Sequence, residues 1–179
     1  YMLPSLLMDI NNIITVQLAD RPIYFLINVD HKLPNHLFGD DIRIKQVLMN
    51  LLGNAVKFTK EGFIELRVNG EPVGEDHYRV VFRVIDSGIG IRKEDIGKLF
   101  GTFSQVDTTK NRAVTGSGLG LAISRSFSEM MGGGIKVESE YGKGTTFTVE
   151  IMQEVKAYEP IGDVLNKDVR ILVCENDEI

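Results

Sequence analysis

Two glycine segments, which stand in a fixed order, are the parts of this chain most able to do chemistry. The first reads Asp-Ser-Gly-Ile-Gly at 86–90, and the second reads Gly-Ser-Gly-Leu-Gly-Leu at 116–121 and opens a helical pattern. Glycine lets a backbone come close to a ligand, and the free N–H groups at a helix start can bind anionic oxygens. The second segment therefore predicts a phosphate site, although a hinge between a loop and a helix would use the same residues.

The carboxylate of Asp86 follows an apolar run at 80–85, so it is expected at the mouth of the core. A carboxylate in that place can accept a hydrogen bond from the amino group of a planar base. Gly88 and Gly90 would then let the base lie against the backbone. The alternative is structural, because Asp-Ser-Gly is also a common turn sequence.

Three polar residues form a stripe on the best-defined helix of the sequence, at about 41–58. Asn50, Asn54 and Lys57 stand at i, i+4 and i+7, beside an apolar stripe that faces the core. Amide oxygens suit Mg²⁺, which usually also binds substrate phosphates, and a lysine can neutralise phosphate charge. A solvated helix face would also carry such residues.

The hydrophobic pattern supplies the elements that must position these groups. It predicts helices at 1–19, 41–58, 93–100 and 119–131, and strands at 23–30, 63–69, 78–85, 135–139 and 145–151. Hairpin loops are predicted at 70–77 and at the Gly-Lys-Gly of 142–144, and a long loop at 104–115. This order favours an α+β fold, a two-layer α/β sandwich whose mixed, mostly antiparallel sheet carries helices on one face.

Composition narrows the class of protein. The chain has 179 residues, 43% of them hydrophobic, and a net charge of -5 without a long basic run, so nucleic acid is a poor candidate partner. The single cysteine fits a reducing compartment, and no apolar run approaches the roughly 20 residues that span a membrane. We expect a cytoplasmic domain, which is compatible with a membrane anchor elsewhere in a longer protein.

Together these segments resemble the ATP-binding catalytic domain of sensor histidine kinases, in the Bergerat superfamily that also includes gyrase, heat-shock protein 90 and mismatch-repair ATPases. Five motifs stand in the family order within residues 40–152. They are the N box (Asn-Leu-Leu-Gly-Asn-Ala-Val-Lys-Phe-Thr, 50–59), the two glycine boxes (86–90 and 116–121), the F box (Phe-Gly-Thr-Phe, 100–103) and a hairpin glycine motif (Gly-Lys-Gly-Thr, 142–145).

The resemblance implies a role for each matching residue. Asp86, supported by Thr145, would bind the adenine amino group, and Asn54 would be the protein ligand of Mg²⁺. Asn50, Lys57 and Arg112 (less favourably Lys110) would be the catalytic contacts to the metal and phosphates, under a mobile lid formed by residues 104–118. The full set implied to bind ATP is Asn50, Asn54, Lys57, Phe58, Asp86, Gly88, Gly90, Ile91, Phe100, Phe103, Arg112, Gly116, Ser117, Gly118, Leu119, Gly120 and Thr145.

The residue at position 50 separates two kinds of relative. The hydrolysing members of the superfamily carry a glutamate four residues before the Mg²⁺ asparagine, and it activates water. Asn50 is an amide and cannot act as a general base near neutral pH. The sequence therefore favours phosphoryl transfer by a protein histidine kinase over an ATPase that drives a conformational change. An inactive interaction module is the third alternative, and the intact motifs argue against it.

The expected partners lie outside this chain. None of His31, His36 and His77 lies in a sequence like the acceptor helix of the family, so the acceptor would be a histidine on a separate dimerisation domain. Transfer would continue to a response regulator or receiver domain, in a full-length protein that is expected to be a homodimer.

The ends of the chain predict further units. Residues 1–19 would be a helix, either the end of the preceding dimerisation domain or the first helix of this one, and 20–153 the catalytic domain. Residues 154–168 would be a linker. The pattern at 169–179 is similar to the first strand of a receiver domain, as in a hybrid kinase, although a plain terminal strand fits almost as well.

Overall fold

A computed structural model describes residues 1–101, 119–156 and 160–161 of the chain. The elements in chain order are α1 (Leu3–Leu18), β1 (Ile23–Val29), α2 (Asp41–Phe58), β2 (Gly62–Val73), β3 (His77–Asp86), α3 (Lys93–Ile96), α4 (Gly120–Met130), β4 (Gly134–Glu140) and β5 (Gly144–Glu154). The predicted long loop at 104–115 and the predicted strand at 169–179 lie outside the described residues.

The strands form one mixed sheet in the order β1-β2-β3-β5-β4. β1 and β2 are parallel, because α2 carries the chain back between them. The other neighbours, β2 with β3, β3 with β5 and β4 with β5, are antiparallel. The predicted mixed, mostly antiparallel sheet is therefore confirmed.

The core lies between one face of this sheet and the helices. Alternate residues of β2, β3 and β5 are buried, as the two-residue period of a strand requires. Against them pack the apolar stripes of α1 and α2, which confirms helices on one face of the sheet. The buried residues of the two helices are Leu3, Leu6, Leu7, Ile10, Ile14 and Leu18 of α1 and Ile44, Val47, Leu48, Leu51, Leu52 and Ala55 of α2.

Two elements differ in length from the prediction. The hairpin loop predicted at 70–77 is mostly strand, because β2 continues to Val73 and β3 begins at His77. Pro72 is tolerated there since β1 ends opposite Val68, which leaves the last part of β2 paired only with β3 among the described residues. The helix predicted at 93–100 ends at Ile96, where Gly97 follows as its C-cap residue.

None of the helices in these described ranges is both long enough and apolar enough to cross a membrane.

Candidate nucleotide-binding site

The carboxylate at the end of β3 is buried beside the sheet. Asp86 is the last residue of the strand, opposite Ile64 on β2 and Thr145 on β5, and only 7% of its surface is exposed. Its Oδ1 accepts a hydrogen bond of 2.9 Å from the Gly88 N–H. The structure thus places the carboxylate where the sequence predicted it, at the mouth of the core and beside Thr145.

The electrostatic state of this carboxylate follows from its surroundings. Burial raises the pKa of Asp86 above its ordinary value, because desolvation disfavours the charged form. The backbone groups of Gly88 and Thr145 and the nearby hydroxyl of Thr59 oppose that rise. The site therefore holds a poorly solvated acceptor, whose hydrogen bond to a ligand gains strength from the low local dielectric.

Thr59 lies beside Asp86 and was not among the predicted site residues. The residue is fully buried, and its hydroxyl has no hydrogen-bond partner of good geometry among the described residues. A methyl group built on Gly88 would lie 2.9 Å from the Thr59 Oγ1 and 2.8 Å from the Asp86 Oδ1. Buried polar groups are normally paired, so this hydroxyl next to a carboxylate fits a polar ligand or a bound water.

The loop after Asp86 is fastened to the β4–β5 hairpin through one serine. The Ser139 hydroxyl accepts a hydrogen bond from the Ile91 N–H at 2.8 Å and donates to the Gly144 carbonyl at 2.8 Å. Its oxygen also lies 3.0 Å from the Thr145 Oγ1. Ser139 was not predicted from the sequence, since its role depends on contacts between distant segments.

The glycines of this loop and hairpin are required by protein packing. Gly90 and Gly144 both have positive φ angles, of 65° and 118°. A side chain on Gly90 would overlap the Glu140 carbonyl oxygen, and one on Gly144 would overlap the Asp86 carbonyl oxygen. A side chain on Gly88 would lie 2.6 Å from the Phe58 carbonyl oxygen. The bare faces of these glycines therefore meet the protein itself, and the contact of Gly88 and Gly90 with a base stays a prediction.

The predicted polar stripe lies along α2. Asn50 and Asn54 are half-buried, whereas Lys57 and Phe58 are exposed at the end of the helix. The Asn50 Nδ2 donates to the Ser124 Oγ of α4 at 2.9 Å, which ties the two helices together. The Lys57 Nζ lies 5.2 Å from the centre of the Phe58 ring.

Helix α2 links the two glycine segments. At its end, the Phe58 carbonyl accepts a hydrogen bond of 3.2 Å from the Ile89 N–H in the first segment. Two turns earlier, Asn50 lies against Gly120, the last glycine of the second segment. Eight residues of helix span about 12 Å, so α2 sets the separation between the candidate base end and the candidate phosphate end.

The other predicted residues divide into two groups. Leu119 is the N-cap of α4, and its apolar side chain makes no capping hydrogen bond. Phe100 packs against the core, with the Arg125 guanidinium 5.7 Å from its ring. Several predicted residues lie outside the described residues, namely Phe103, Lys110, Arg112, Gly116, Ser117 and Gly118.

A mixed sheet with helices on one face, and a buried carboxylate that opens the first glycine segment, are features of a nucleotide-binding domain. The family described as histidine kinase-, DNA gyrase B- and HSP90-like ATPase matches residues 39–155. The chain belongs to this family. The resemblance inferred from the motifs is thereby confirmed.

Two of the similar proteins are named as histidine kinases. The chain is 46% identical over 129 residues to histidine protein kinase 1 of Candida albicans, covering 72% of this chain and 5% of that protein. It is 42% identical over 139 residues to hybrid signal transduction histidine kinase B of Dictyostelium discoideum, covering 78% of this chain and 7% of that protein. The chain thus spans a small part of the length of these relatives.

A solved structure shows the same fold. The crystal structure of full-length ShkA in complex with AMPPNP is similar with a TM-score of 0.75 and 32% sequence identity. The likeness covers 89% of this chain and 32% of the ShkA chain.

The pKa of Asp86 predicts how stability depends on pH. Because the folded state holds the proton more tightly than the unfolded state, the stability of the wild-type chain relative to Asp86→Asn should fall as pH rises from 3.8 through the raised folded value. Above that range the difference in the free energy of unfolding between the two proteins should no longer change with pH. Chemical denaturation of both proteins between about pH 4 and pH 8 measures it, and a difference that rose with pH would contradict the assignment.

The hairpin glycines form a matched pair for mutation. Gly142 and Gly144 both have positive φ angles, but a side chain on Gly142 meets open space whereas one on Gly144 overlaps Asp86. Gly142→Ala should cost about 1 kcal/mol from backbone strain alone. Gly144→Ala should cost at least about 2 kcal/mol more, since backbone must move. Denaturant unfolding measures both, and equal losses would show that the approach to Asp86 is not tight.

Proposed function

We propose that this chain binds Mg-ATP and donates the terminal phosphoryl group to a histidine on a separate dimerisation domain, in two-component signal transduction. The observation that carries the proposal is the buried Asp86 carboxylate, joined through α2 to the half-buried amides of Asn50 and Asn54. This arrangement offers an acceptor for a base at one end and oxygen ligands for a metal at the other.

Recognition of the base would depend on Asp86. Its carboxylate would accept a hydrogen bond from the exocyclic amino group of adenine, and the Thr59 hydroxyl beside it would pair with a ring nitrogen directly or through water. Guanine presents a carbonyl oxygen where adenine presents that amino group, so the same carboxylate would repel it. The site would therefore select adenine.

The phosphate end would depend on the polar stripe of α2. Asn54 would supply its amide oxygen to Mg²⁺, which commonly takes one or two protein ligands and fills its other positions with water and phosphate oxygens. Lys57, exposed at the end of the helix, would offset negative charge on the same side. Mg²⁺, when bound, neutralises charge on the phosphates, and Arg112 is the proposed further contact.

Asn50 favours transfer over hydrolysis. Its amide nitrogen already donates to Ser124, and an amide cannot take a proton from water near neutral pH. The residues of this site would position the phosphates and neutralise their charge, and these are the main requirements of phosphoryl transfer.

The proposed partners follow from the chemistry of phosphoryl transfer and from the histidine kinases among the similar proteins. The acceptor would be a histidine in a dimerisation domain of the full-length homodimer, and a response regulator or receiver domain would then receive the phosphoryl group. A hybrid kinase is among the relatives, which supports a receiver-like unit beginning at 169–179. We place the domain in the cytoplasm.

The two ends of the site can be tested separately by calorimetry with adenosine and with Mg-AMPPNP. Asp86→Asn should weaken both ligands at least about tenfold, the range of a hydrogen bond to a charged group. Asn54→Ala should weaken Mg-AMPPNP and leave adenosine unchanged. Asp9→Asn, on the exposed side of α1, is the control. Unchanged adenosine binding by Asp86→Asn would refute the adenine assignment.

Phosphoryl transfer requires the acceptor domain and is tested in the full-length protein. With ATP labelled on its terminal phosphate, we expect acid-labile, alkali-stable label on histidine, and we expect its loss in Asp86→Asn. Steady release of phosphate without labelled protein would instead support the ATPase alternative.

A further inference from the structure

The side chain of Asn50 is held by α4 at two points. Its Nδ2 donates to the Ser124 Oγ at 2.9 Å, and Ser124 is only 2% exposed. Its Oδ1 lies against Gly120, so closely that a side chain on this glycine would overlap it. Gly120 and Ser124 are one turn apart and therefore lie on the same face of α4. The amide of Asn50 thus lies along that face, with its nitrogen toward Ser124 and its oxygen toward the helix start.

A serine hydroxyl can donate or accept a hydrogen bond; here it accepts from the Asn50 Nδ2, and the amide faces one way. The last torsion of asparagine is broad and roughly two-fold, so an unrestrained amide exchanges the positions of oxygen and nitrogen readily. Phosphate oxygens require a donor, whereas a metal ion or a metal-bound water requires an acceptor. With the nitrogen engaged by Ser124, the oxygen is the atom that faces the start of α4, where the phosphate end of the site is proposed.

We propose that Ser124 is the positioning residue for Asn50 and makes it present its Oδ1 to the metal side of the nucleotide. This inference rests on the proposed function and deepens it, because it assigns Asn50 as an acceptor toward Mg²⁺ or its water. In this proposal Ser124 would touch neither the base nor the phosphates. Its effect on the nucleotide passes through the Asn50 amide alone.

The same helix offers a matched control. Ser128 is also a serine, is fully buried and lies one turn beyond Ser124. Its hydroxyl donates to the Ser124 carbonyl at 2.8 Å, which is a bond within the helix. Removing this hydroxyl makes the same chemical change in the same surroundings, without removing the hydrogen bond to Asn50.

Calorimetry with AMPPNP, with and without Mg²⁺, and with adenosine tests the assignment in this chain. Ser124→Ala should weaken Mg-AMPPNP about three- to tenfold, as expected for one hydrogen bond, and leave adenosine unchanged. Ser128→Ala should leave both ligands unchanged. In an Asn50→Ala background, Ser124→Ala should add no further loss, because the two residues act through one contact.

Other results would overturn the inference. The inference fails if Ser124→Ala binds Mg-AMPPNP as tightly as the wild type does. It also fails if Ser124→Ala causes a further loss in the Asn50→Ala background, or if Ser128→Ala causes an equal loss. If a thermal melt shows that Ser124→Ala does not fold, Ser124→Cys replaces it, because cysteine has a similar volume and is a weaker acceptor. Ser124→Cys should show the same loss of affinity. Ser124→Thr, which keeps the hydroxyl, should bind Mg-AMPPNP as the wild type does. A folded wild-type chain that binds neither ligand would instead refute the proposed function.

Discussion

Helix α2 is bonded at two places to the segments that would surround a nucleotide, and the rest of the site depends on this. Near its middle, Asn50 is fixed to Ser124 of α4. At its end, Phe58 accepts a hydrogen bond from Ile89 in the loop after β3. Because an α-helix is stiff, α2 fixes the distance between Ile89 and Gly120. The apolar stripe of α2, which is buried against the sheet, holds the helix in place.

The second constraint is the cost of keeping a carboxylate poorly solvated at Asp86. A buried charge is unfavourable unless it is hydrogen-bonded, and the protein provides only part of that bonding, through Gly88 and the Thr145 strand position. The hydroxyl of Thr59 lies close enough to oppose the rise in the Asp86 pKa, but it has no hydrogen bond of good geometry among the described residues. Such an arrangement is less stable than a fully satisfied one, and it is consistent with a site whose polar groups are completed by a ligand.

What the sequence could predict were features set by local spacing. Asp86 at the end of an apolar run and the stripe through Asn50 and Asn54 follow from strand and helix periods, and the structure places them accordingly. Ser124 and Ser139 could not be found, because each acts through a contact between distant segments and a serine carries no periodic signal. The sequence predicts a loop at 70–77 that is too long, because glycine and proline favour loops and the sequence does not show that β2 loses its neighbour β1 after Val68.

The close contact between Gly120 and Asn50 has a consequence for how this part of the protein can change. The start of α4 is fixed against α2 by an α-carbon without a side chain and by the buried Ser124. A larger residue at position 120 would therefore have to displace the Asn50 amide, the start of α4, or both. One substitution on α4 would thus be felt on α2, so the spacing between these two helices and the position of the Asn50 amide are set by the same small residue.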